Sequence, residues 1–263
     1  MIPESILIAW RKDVAPWQSY TMVEQDLILS RALVEIYNNP YLQKRLAFRG
    51  GTALHKLFLN PQSRYSEDID LVQTTAGPIG SVLDQLRIAL EFLGKPKVEM
   101  GDRMVNMKFS FQTEMLPVVN LKLKVEINCR EHFTELGYIN KEFEVDTEWF
   151  SGKCIILTNN LEELLGTKLR ALYQRRKGRD MFDLYKALQT NYIDVFTLIQ
   201  CYKRYMANSV KYPPSGLDFL ANMEAKMKTH QFVDDTIAII RPDIQYSPTE
   251  AFELIKLKIL SNL

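Results

Sequence analysis

The sequence predicts a mixed α/β fold (α+β) in two domains, an N-terminal α/β domain (residues 1–158) and a C-terminal helical domain (residues 159–263). Segments that alternate apolar and polar residues, as strands do, occur between residues 68 and 157. After Asn160 the apolar residues recur at helical spacing. The chain has 263 residues, more than the ~100–150 of a typical single domain, so two domains are expected.

Helices are predicted in the N-terminal domain over residues 21–37, 41–46, 52–59 and 81–93. The first has apolar residues at helical spacing behind Thr21-x-x-Glu24, a capping-box pattern, and Pro40 ends it. The third follows a tight Gly50-Gly51 turn. Turns in the C-terminal domain are predicted near Gly178, Asn191, Pro213-Pro214 and Arg241-Pro242.

Strands are predicted at Asp68–Gln73, Leu121–Asn128 and Lys153–Leu157. The second is the clearest, because its residues alternate strictly between apolar and polar. One face carries Leu121, Leu123, Val125 and Ile127, and the other carries Lys122, Lys124, Glu126 and Asn128. Glu126 is therefore expected in the middle of a strand, on its polar face.

The composition is that of an ordinary soluble protein, with 46% apolar and 25% charged residues. No apolar run approaches the ~20 residues that span a bilayer, and the N-terminal segment lacks a basic leader, so neither a membrane partner nor a signal peptide is expected. The 3 cysteines lie far apart, which favours a reducing cytoplasm over a disulfide framework. The net charge of +1 gives no indication of a nucleic-acid partner, although local basic clusters still could.

Two aspartates on one strand face are the first candidate chemical group. Asp68 and Asp70 share a face, while Ile69 and Leu71 are directed to the core. Carboxylates about 7 Å apart at their Cα atoms can hold one Mg²⁺ or bridge a pair, because Mg²⁺ prefers hard oxygen ligands. Glu126 is the candidate third carboxylate. The alternatives are a solvated strand end for the aspartates and a surface pair with Lys122 or Lys124 for Glu126.

A glycine turn is the second candidate group. Gly50-Gly51-Thr52 leads into a helix, whose first backbone N–H groups and positive end suit a phosphate. Arg49 and Arg64 place positive charge around the turn, and Ser66 adds a hydroxyl close to Asp68. The alternatives are a turn that only separates two elements and arginines that lie on the surface.

A third group of charged residues falls in the C-terminal domain. Lys168 lies beside an apolar helical seam, where it could bind triphosphate oxygens or extend along the seam to solvent. The basic loop Arg175–Arg179 could contact nucleotide or RNA phosphates or could stabilise a helix end. Asp180 and Asp183 share a helix face and could orient the arginines, or one of them could enter the active site. The 3 histidines show neither metal spacing nor a nucleophile partner.

Five segments match, in order, the motif blocks of a known family. They read FRGGTALHKLF, RYSEDIDLV, LKVEIN, LEELLGTKLRAL and KGRDMFDLYKAL, and they span roughly residues 48–188. The chain thereby resembles the AbiEii/AbiGii toxin family of the nucleotidyltransferase superfamily, which includes DNA polymerase β-like enzymes. The resemblance implies a polymerase-β-like nucleotidyltransferase domain with a mixed β-sheet, joined to a C-terminal helical bundle.

The resemblance also implies roles for individual residues. Gly50, Gly51 and Thr52 match the phosphate-binding turn, and Asp68 and Asp70 match the metal ligands. Glu126 matches the acidic position on the second strand, Lys168 the nucleotide-binding lysine and Asp180 a catalytically required aspartate. Two positions depart from expectation. Thr52 must supply the hydroxyl that a serine gives in the wider superfamily, and Gly166 stands where a better helix former is expected.

The implied activity is transfer of a nucleoside monophosphate from an NTP, with Mg²⁺ as cofactor and Mn²⁺ as the alternative metal. In the related MenT toxins the acceptor is the 3′ end of tRNA. The chain is accordingly interpreted as the cytoplasmic toxin of a toxin–antitoxin or phage-defence pair, in which a cognate antitoxin would be a separate chain. The alternatives are transfer to a protein or a small molecule, and a non-catalytic module that binds a nucleotide or a partner.

Overall fold

A mixed β-sheet is the framework of the N-terminal part of the protein. The computed structural model describes residues 2–190 and 192–263, which form two compact units. The first unit comprises the residues up to Thr134 together with Tyr138–Asn159. The second comprises Glu135–Gly137 and Asn160–Leu263. The turn predicted near Asn191 lies outside the described residues. Within the described part of the chain, no helix combines the length and the apolar character needed to cross a membrane.

The first unit alternates helices and strands. Its helices are α1 (Glu4–Asp13), α2 (Tyr20–Asn38), α3 (Pro40–Gln43), α4 (Gly50–Leu57) and α5 (Gly80–Ala89), with a 3-10 turn at Glu91–Leu93. Its strands are β1 (Leu46–Arg49), β2 (Asp68–Gln73), β3 (Lys97–Met100), β4 (Met104–Gln112), β5 (Asn120–Asn128), β6 (Tyr138–Asp146) and β7 (Ser151–Asn159).

The seven strands form one sheet in the order β3-β4-β5-β2-β1-β7-β6. The pairs β2–β5 and β1–β7 are parallel and the other neighbouring pairs are antiparallel, so the predicted mixed sheet is confirmed. The register places Asp70 between Arg49 on β1 and Glu126 on β5. Three strands that lie far apart in sequence therefore bring polar side chains together at one place on the sheet.

The apolar side of the sheet forms the core of this unit. Ile69 and Leu71 on β2 and Val125 and Ile127 on β5 are at most 1% exposed, and helix α2 contacts β5, β6 and β7. Burial of such side chains stabilises a fold by roughly 1.5–3 kcal/mol each. Because side chains alternate along a strand, this burial directs Asp68, Asp70 and Glu126 to the opposite side.

Several local predictions were wrong. The capping box at Thr21 and Glu24 does not form, because α2 is capped by Ser19, whose hydroxyl accepts from the backbone N–H of Met22 at 3.3 Å. Glu24 is instead buried, and its carboxylate accepts from the backbone N–H of Glu114 at 2.9 Å. The predicted helix over residues 81–93 ends as α5 at Ala89 and continues only as the 3-10 turn.

The second unit is helical, as predicted. It contains α6 (Leu161–Gln174), α7 (Gly178–Thr190), α8 (Val195–Ala207), α9 (Gly216–Met227), α10 (His230–Val233) and α11 (Pro248–Lys258), with a 3-10 turn at Leu260–Asn262. Side-chain caps fix several helix starts: Asp194 caps α8, Ser247 caps α11, and Ser215 forms a capping box with Asp218 on α9.

Packing explains why a glycine occupies position 166 inside a helix, although glycine is a poor helix former. It lies where α6 contacts α8, and a Cβ atom on it would be 2.7 Å from the Cβ of Cys201 and 2.9 Å from the backbone nitrogen of Tyr202. Real Cβ atoms almost never approach other heavy atoms so closely. The glycine therefore allows the two helices to approach each other.

We expect Gly166→Ala to destabilise the protein although alanine is the better helix former. Overpacking costs about 1–3 kcal/mol, against a gain in helix propensity of about 1 kcal/mol. Chemical denaturation followed by circular dichroism would measure the change. Gly80→Ala is the matched control, because a Cβ atom at Gly80, also in a helix, meets nothing within 4 Å. Equal stability of the two variants would contradict this account of Gly166.

Candidate active site

The glycine turn and Asp70 lie in direct contact. Gly50 has a φ of 79°, a backbone conformation that favours glycine, and it directly follows β1 and begins α4. A Cβ atom at Gly50 would overlap Oδ2 of Asp70. The register explains the contact, because Arg49, the residue before Gly50, is paired with Asp70. The start of α4 is thus held against a carboxylate of β2.

The side chain of Thr52 joins the same two elements. Its hydroxyl lies 2.5 Å from the carbonyl oxygen of Asp68, to which it donates, and 2.7 Å from Oγ of Ser66. Thr52 is 1% exposed. In this structure the hydroxyl therefore fixes the first turn of α4 to β2, and its predicted contact with a phosphate stays a prediction.

Asp68, Asp70 and Glu126 lie on one face of adjacent strands, together with Lys124. The register pairs Asp68 with Lys124 and Asp70 with Glu126. Nζ of Lys124 is 3.1 Å from Oε2 of Glu126 and 3.4 Å from Oδ2 of Asp68. The surface pair between Glu126 and Lys124, one of the alternatives left open by the sequence, is therefore present.

Burial and the neighbouring charges together set the pKa values of the groups on this face. Burial raises the pKa of Asp68 to about 6, with Lys124 opposing the rise and the neighbouring Asp70 and Glu67 adding to it. Burial alone would lower the pKa of Lys124, but the carboxylates of Asp68 and Glu126 outweigh it and the pKa is raised. The ammonium is thus a charged counter-ion to the carboxylates.

The donor set on this face fits a divalent cation. Carboxylate oxygens are the hard ligands that Mg²⁺ and Mn²⁺ accept, and the side chains of Asp68 and Glu126 are 33% and 23% exposed, so an ion can reach them from solvent. Across residues 2–190 and 192–263, no three His, Cys, Asp or Glu side chains already converge as a complete ligand set. Nζ of Lys124 lies between two of these carboxylates, those of Asp68 and Glu126.

The two arginines near the turn are engaged by protein groups. Arg64 is 3% exposed and donates from Nη1 to the carbonyl oxygen of Tyr65 at 2.9 Å. Nη1 of Arg49 lies 2.6 Å from Oε2 of Glu131. Neither side chain ends in open solvent, and the predicted nucleotide contact of Arg64 stays a prediction.

A buried ion pair that sequence reasoning missed holds α4 in place. Nζ of Lys56 on α4 lies 2.8 Å from both carboxylate oxygens of Asp26 on α2 and 2.9 Å from Oγ of Ser30. Nε1 of Trp10 also donates to Asp26, at 3.0 Å. The side chains of Lys56 and Asp26 are 3% and 0% exposed. Because Lys56 lies one turn after Thr52, this network positions the glycine turn.

We expect Lys56→Met to destabilise the first unit by about 3–5 kcal/mol, because it leaves the buried carboxylate of Asp26 without a cation. Removing both charges with Lys56→Met/Asp26→Asn should restore part of the loss. Denaturation midpoints measure both effects, with the exposed Lys44→Met as control. A double variant less stable than Lys56→Met alone would contradict the proposed pairing.

The charged residues of the second unit form their own network. Nζ of Lys168 lies 3.0 Å from Oδ1 of Asp180 and 3.0 Å from Oδ2 of Asp183. Arg175 donates to Asp180 twice, from Nε at 2.7 Å and from Nη2 at 2.9 Å. Burial would raise the pKa of Asp180, but Lys168 and Arg175 hold it below its usual value. The lysine ends on two carboxylates rather than in solvent, with its side chain 8% exposed.

Two further contacts arrange the helices around this network. Lys226 on α9 donates to the carbonyl oxygens of Leu172 and of Tyr173, the latter at 2.8 Å, near the end of α6. Burial lowers the pKa of Lys226 to about 8. The backbone N–H of Arg179 donates to Asp235 at 3.1 Å, and its side chain is partly exposed. These contacts fix the helix that carries Lys168 and the first turn of α7, which carries Arg179.

The family model that matches this chain describes nucleotidyltransferases. The chain belongs to the AbiEii family, because the model described as nucleotidyl transferase AbiEii toxin, type IV toxin–antitoxin system, matches residues 31–255. The family resemblance read from the sequence is therefore confirmed. The protein is a nucleotidyltransferase of a toxin family of type IV toxin–antitoxin systems.

Solved structures from Mycobacterium tuberculosis and Helicobacter pylori have a similar fold. MenT4, a nucleotidyltransferase toxin of Mycobacterium tuberculosis H37Rv, superposes with a TM-score of 0.70 at 16% identity, over 100% of this chain and 91% of that one. JHP933 from Helicobacter pylori gives 0.52 at 17% identity, over 90% and 89%. A putative nucleotidyltransferase from H. pylori gives 0.51 at 17% identity, over 90% and 92%. At these identities the likeness concerns the fold. No curated protein sequence matches this chain significantly.

Proposed function

We propose that this protein transfers a nucleoside monophosphate from an NTP to the 3′ end of tRNA, with Mg²⁺ or Mn²⁺ as cofactor. The observation that carries the proposal is the contact between the Gly50 turn and Asp70, which sets a helix N-terminus directly beside a carboxylate. The helix N-terminus suits triphosphate oxygens, and the carboxylate suits a divalent cation. A nucleotide with its metal needs both within one site.

Asp68, Asp70 and Glu126 are the residues proposed to hold the metal. A bound divalent cation neutralises charge on the transferred phosphoryl group and favours both the attacking and the leaving oxygen. The two aspartates present their carboxylates from one strand, and the register places Glu126 next to Asp70. In this arrangement the protein contributes positioning and electrostatic stabilisation, which supply most of the catalysis in phosphoryl transfer.

The residues of the turn are proposed to hold the nucleotide. The backbone N–H groups of Gly50, Gly51 and Thr52 belong to the first turn of α4, where helix N–H groups lack intrahelical acceptors. Thr52 and Ser66 keep this turn against β2, as their hydrogen bonds indicate. Arg64 and Arg179 remain proposed nucleotide-binding residues on the strength of their positive charge.

Lys168 and Asp180 are proposed as the catalytic contribution of the second unit. Lys168 is proposed as the counterpart of the family's nucleotide-binding lysine, and Asp180 orients it through the 3.0 Å ion pair. The double contact of Arg175 with Asp180 fixes the carboxylate that performs this orientation.

The acceptor and the partners are proposed from the family. Transfer to tRNA agrees with the exposed basic side chains of Arg175 and Arg176, which suit a phosphate backbone. Type IV systems pair a toxin with an antitoxin, and we propose a separately encoded antitoxin for this chain. The cytoplasm, which supplies both NTP and tRNA, is the proposed location.

Incubation with each α-labelled NTP, Mg²⁺ and total bacterial RNA tests the proposal. We expect label at the size of tRNA, with a rate at least about 100-fold lower in Asp70→Asn, because one positioned electrostatic group of this kind contributes on that scale. Glu99→Gln is the matched control, since Glu99 is a carboxylate of the same sheet that pairs with Lys97 and Lys108. Label on protein alone would contradict the tRNA acceptor, and full activity of Asp70→Asn would contradict the site.

A further inference from the structure

We propose that Lys124 is an exchangeable counter-ion, which holds Asp68 and Glu126 in the metal-free enzyme and gives up both carboxylates when a divalent cation binds them. The inference rests on the proposed metal site. It assigns to Lys124 a role that neither the motif blocks nor the sequence alternatives gave it.

The position of Lys124 is fixed by the sheet. Lys124 and Glu126 lie two residues apart on β5 and share a face, and the parallel register places Asp68 of β2 beside Lys124. Its Nζ atom reaches Oε2 of Glu126 at 3.1 Å and Oδ2 of Asp68 at 3.4 Å. The ammonium therefore bridges two strands between carboxylates that are both proposed as metal ligands. Lys124 and a divalent cation would compete for the same oxygen atoms.

The charges explain why a counter-ion is needed here. Asp68, Asp70 and Glu126 are three carboxylates on neighbouring positions of two strands, and like charges placed side by side destabilise a sheet. Without a metal, Lys124 is the cation that contacts two of them within the described residues. With a metal bound, the same carboxylates are neutralised by the ion, and the contact with the ammonium becomes redundant.

The chemistry of lysine suits an exchange. Its ammonium is a compact point charge on a flexible four-carbon stem, whereas an arginine fork would hold a carboxylate through two directed hydrogen bonds. The side chains of Lys124, Asp68 and Glu126 are 32%, 33% and 23% exposed, so the ammonium can leave without crossing the core. Once released, it stays on the face where the nucleotide phosphates are proposed to bind, and it becomes a cationic partner for them.

The ion pairs that Glu99 forms on the same sheet differ from those of Lys124. Lys108 lies 2.6 Å from Glu99, and Lys97 lies 3.2 Å from the same carboxylate. Both lysines pair with Glu99, which carries no proposed ligand role. Lys124 is distinguished because both of its partners are candidate ligands.

Titration of the full-length protein with Mn²⁺, followed by electron paramagnetic resonance of the free ion at constant pH, tests the exchange. We expect Lys124→Gln to bind Mn²⁺ on the order of tenfold more tightly, because a competing charge is removed from a partly solvated site. Lys124→Arg should bind it more weakly than the natural protein, because the guanidinium is harder to displace. Lys122→Gln, on the same face of the same strand, is the charge-matched control and should bind Mn²⁺ as the natural protein does.

A second readout separates this role from a purely structural one. In the presence of a chelator, Lys124→Gln should unfold at a lower temperature than the natural protein, and Mn²⁺ should raise its unfolding temperature by more. With Mn²⁺ saturating, the KM for NTP should rise, because the released ammonium is missing. A merely structural salt bridge would lower stability equally with and without the metal.

The outcomes distinguish this inference from the proposed function. If Asp70→Asn abolishes Mn²⁺ binding while both Lys124 variants bind like the natural protein, the exchange is wrong and the metal site stands. If neither the natural protein nor any variant binds Mn²⁺, the proposed metal site fails, and the exchange fails with it. Tighter binding by Lys124→Gln together with weaker binding by Lys124→Arg supports the exchange.

Discussion

The contact between Gly50 and Asp70 is the constraint on which the rest of the candidate site depends. It exists because β1 pairs with β2 so that Arg49 lies opposite Asp70, and the chain turns into α4 at the next residue. Only a residue without a side chain can occupy that position, since a Cβ atom would overlap the carboxylate and the φ of 79° disfavours other residues. The helix N-terminus and the carboxylate thus form one structural feature.

Other interactions of the first unit preserve this feature. Thr52 holds the first turn of α4 to the backbone of Asp68 at 2.5 Å, and Lys56 holds the next turn to Asp26 of α2 through a buried ion pair. The parallel pairing of β2 with β5 adds Glu126 and Lys124 beside the aspartates. The helix is therefore held from the sheet and from α2, which restricts how the turn can move relative to Asp70. A site that works by positioning requires such rigidity.

The sequence predicted the parts of this site that carry a local signal. Asp68 and Asp70 share a strand face, as their spacing indicates, and the strict alternation of Leu121–Asn128 located β5 and Glu126. It could not predict β1, because four residues are too few to show a period. It also did not predict β6, an edge strand in which Lys141 interrupts the apolar residues of the less exposed face. The pair of Lys56 and Asp26 joins residues 30 positions apart, which only the folded chain brings together. The same holds for Gly166, whose close neighbours come from α8.

The most direct measurement of the central claim is a double-mutant cycle on the rate of nucleotidyl transfer, with Gly50→Ala, Asp70→Asn and the combined variant. If the turn and the carboxylate act as one unit, each single change lowers the rate by a comparable factor, and the combined variant is no slower than Asp70→Asn. Circular dichroism establishes that each variant is folded. A Gly50→Ala enzyme that is folded and keeps the natural rate, or factors that multiply in the combined variant, would contradict the account.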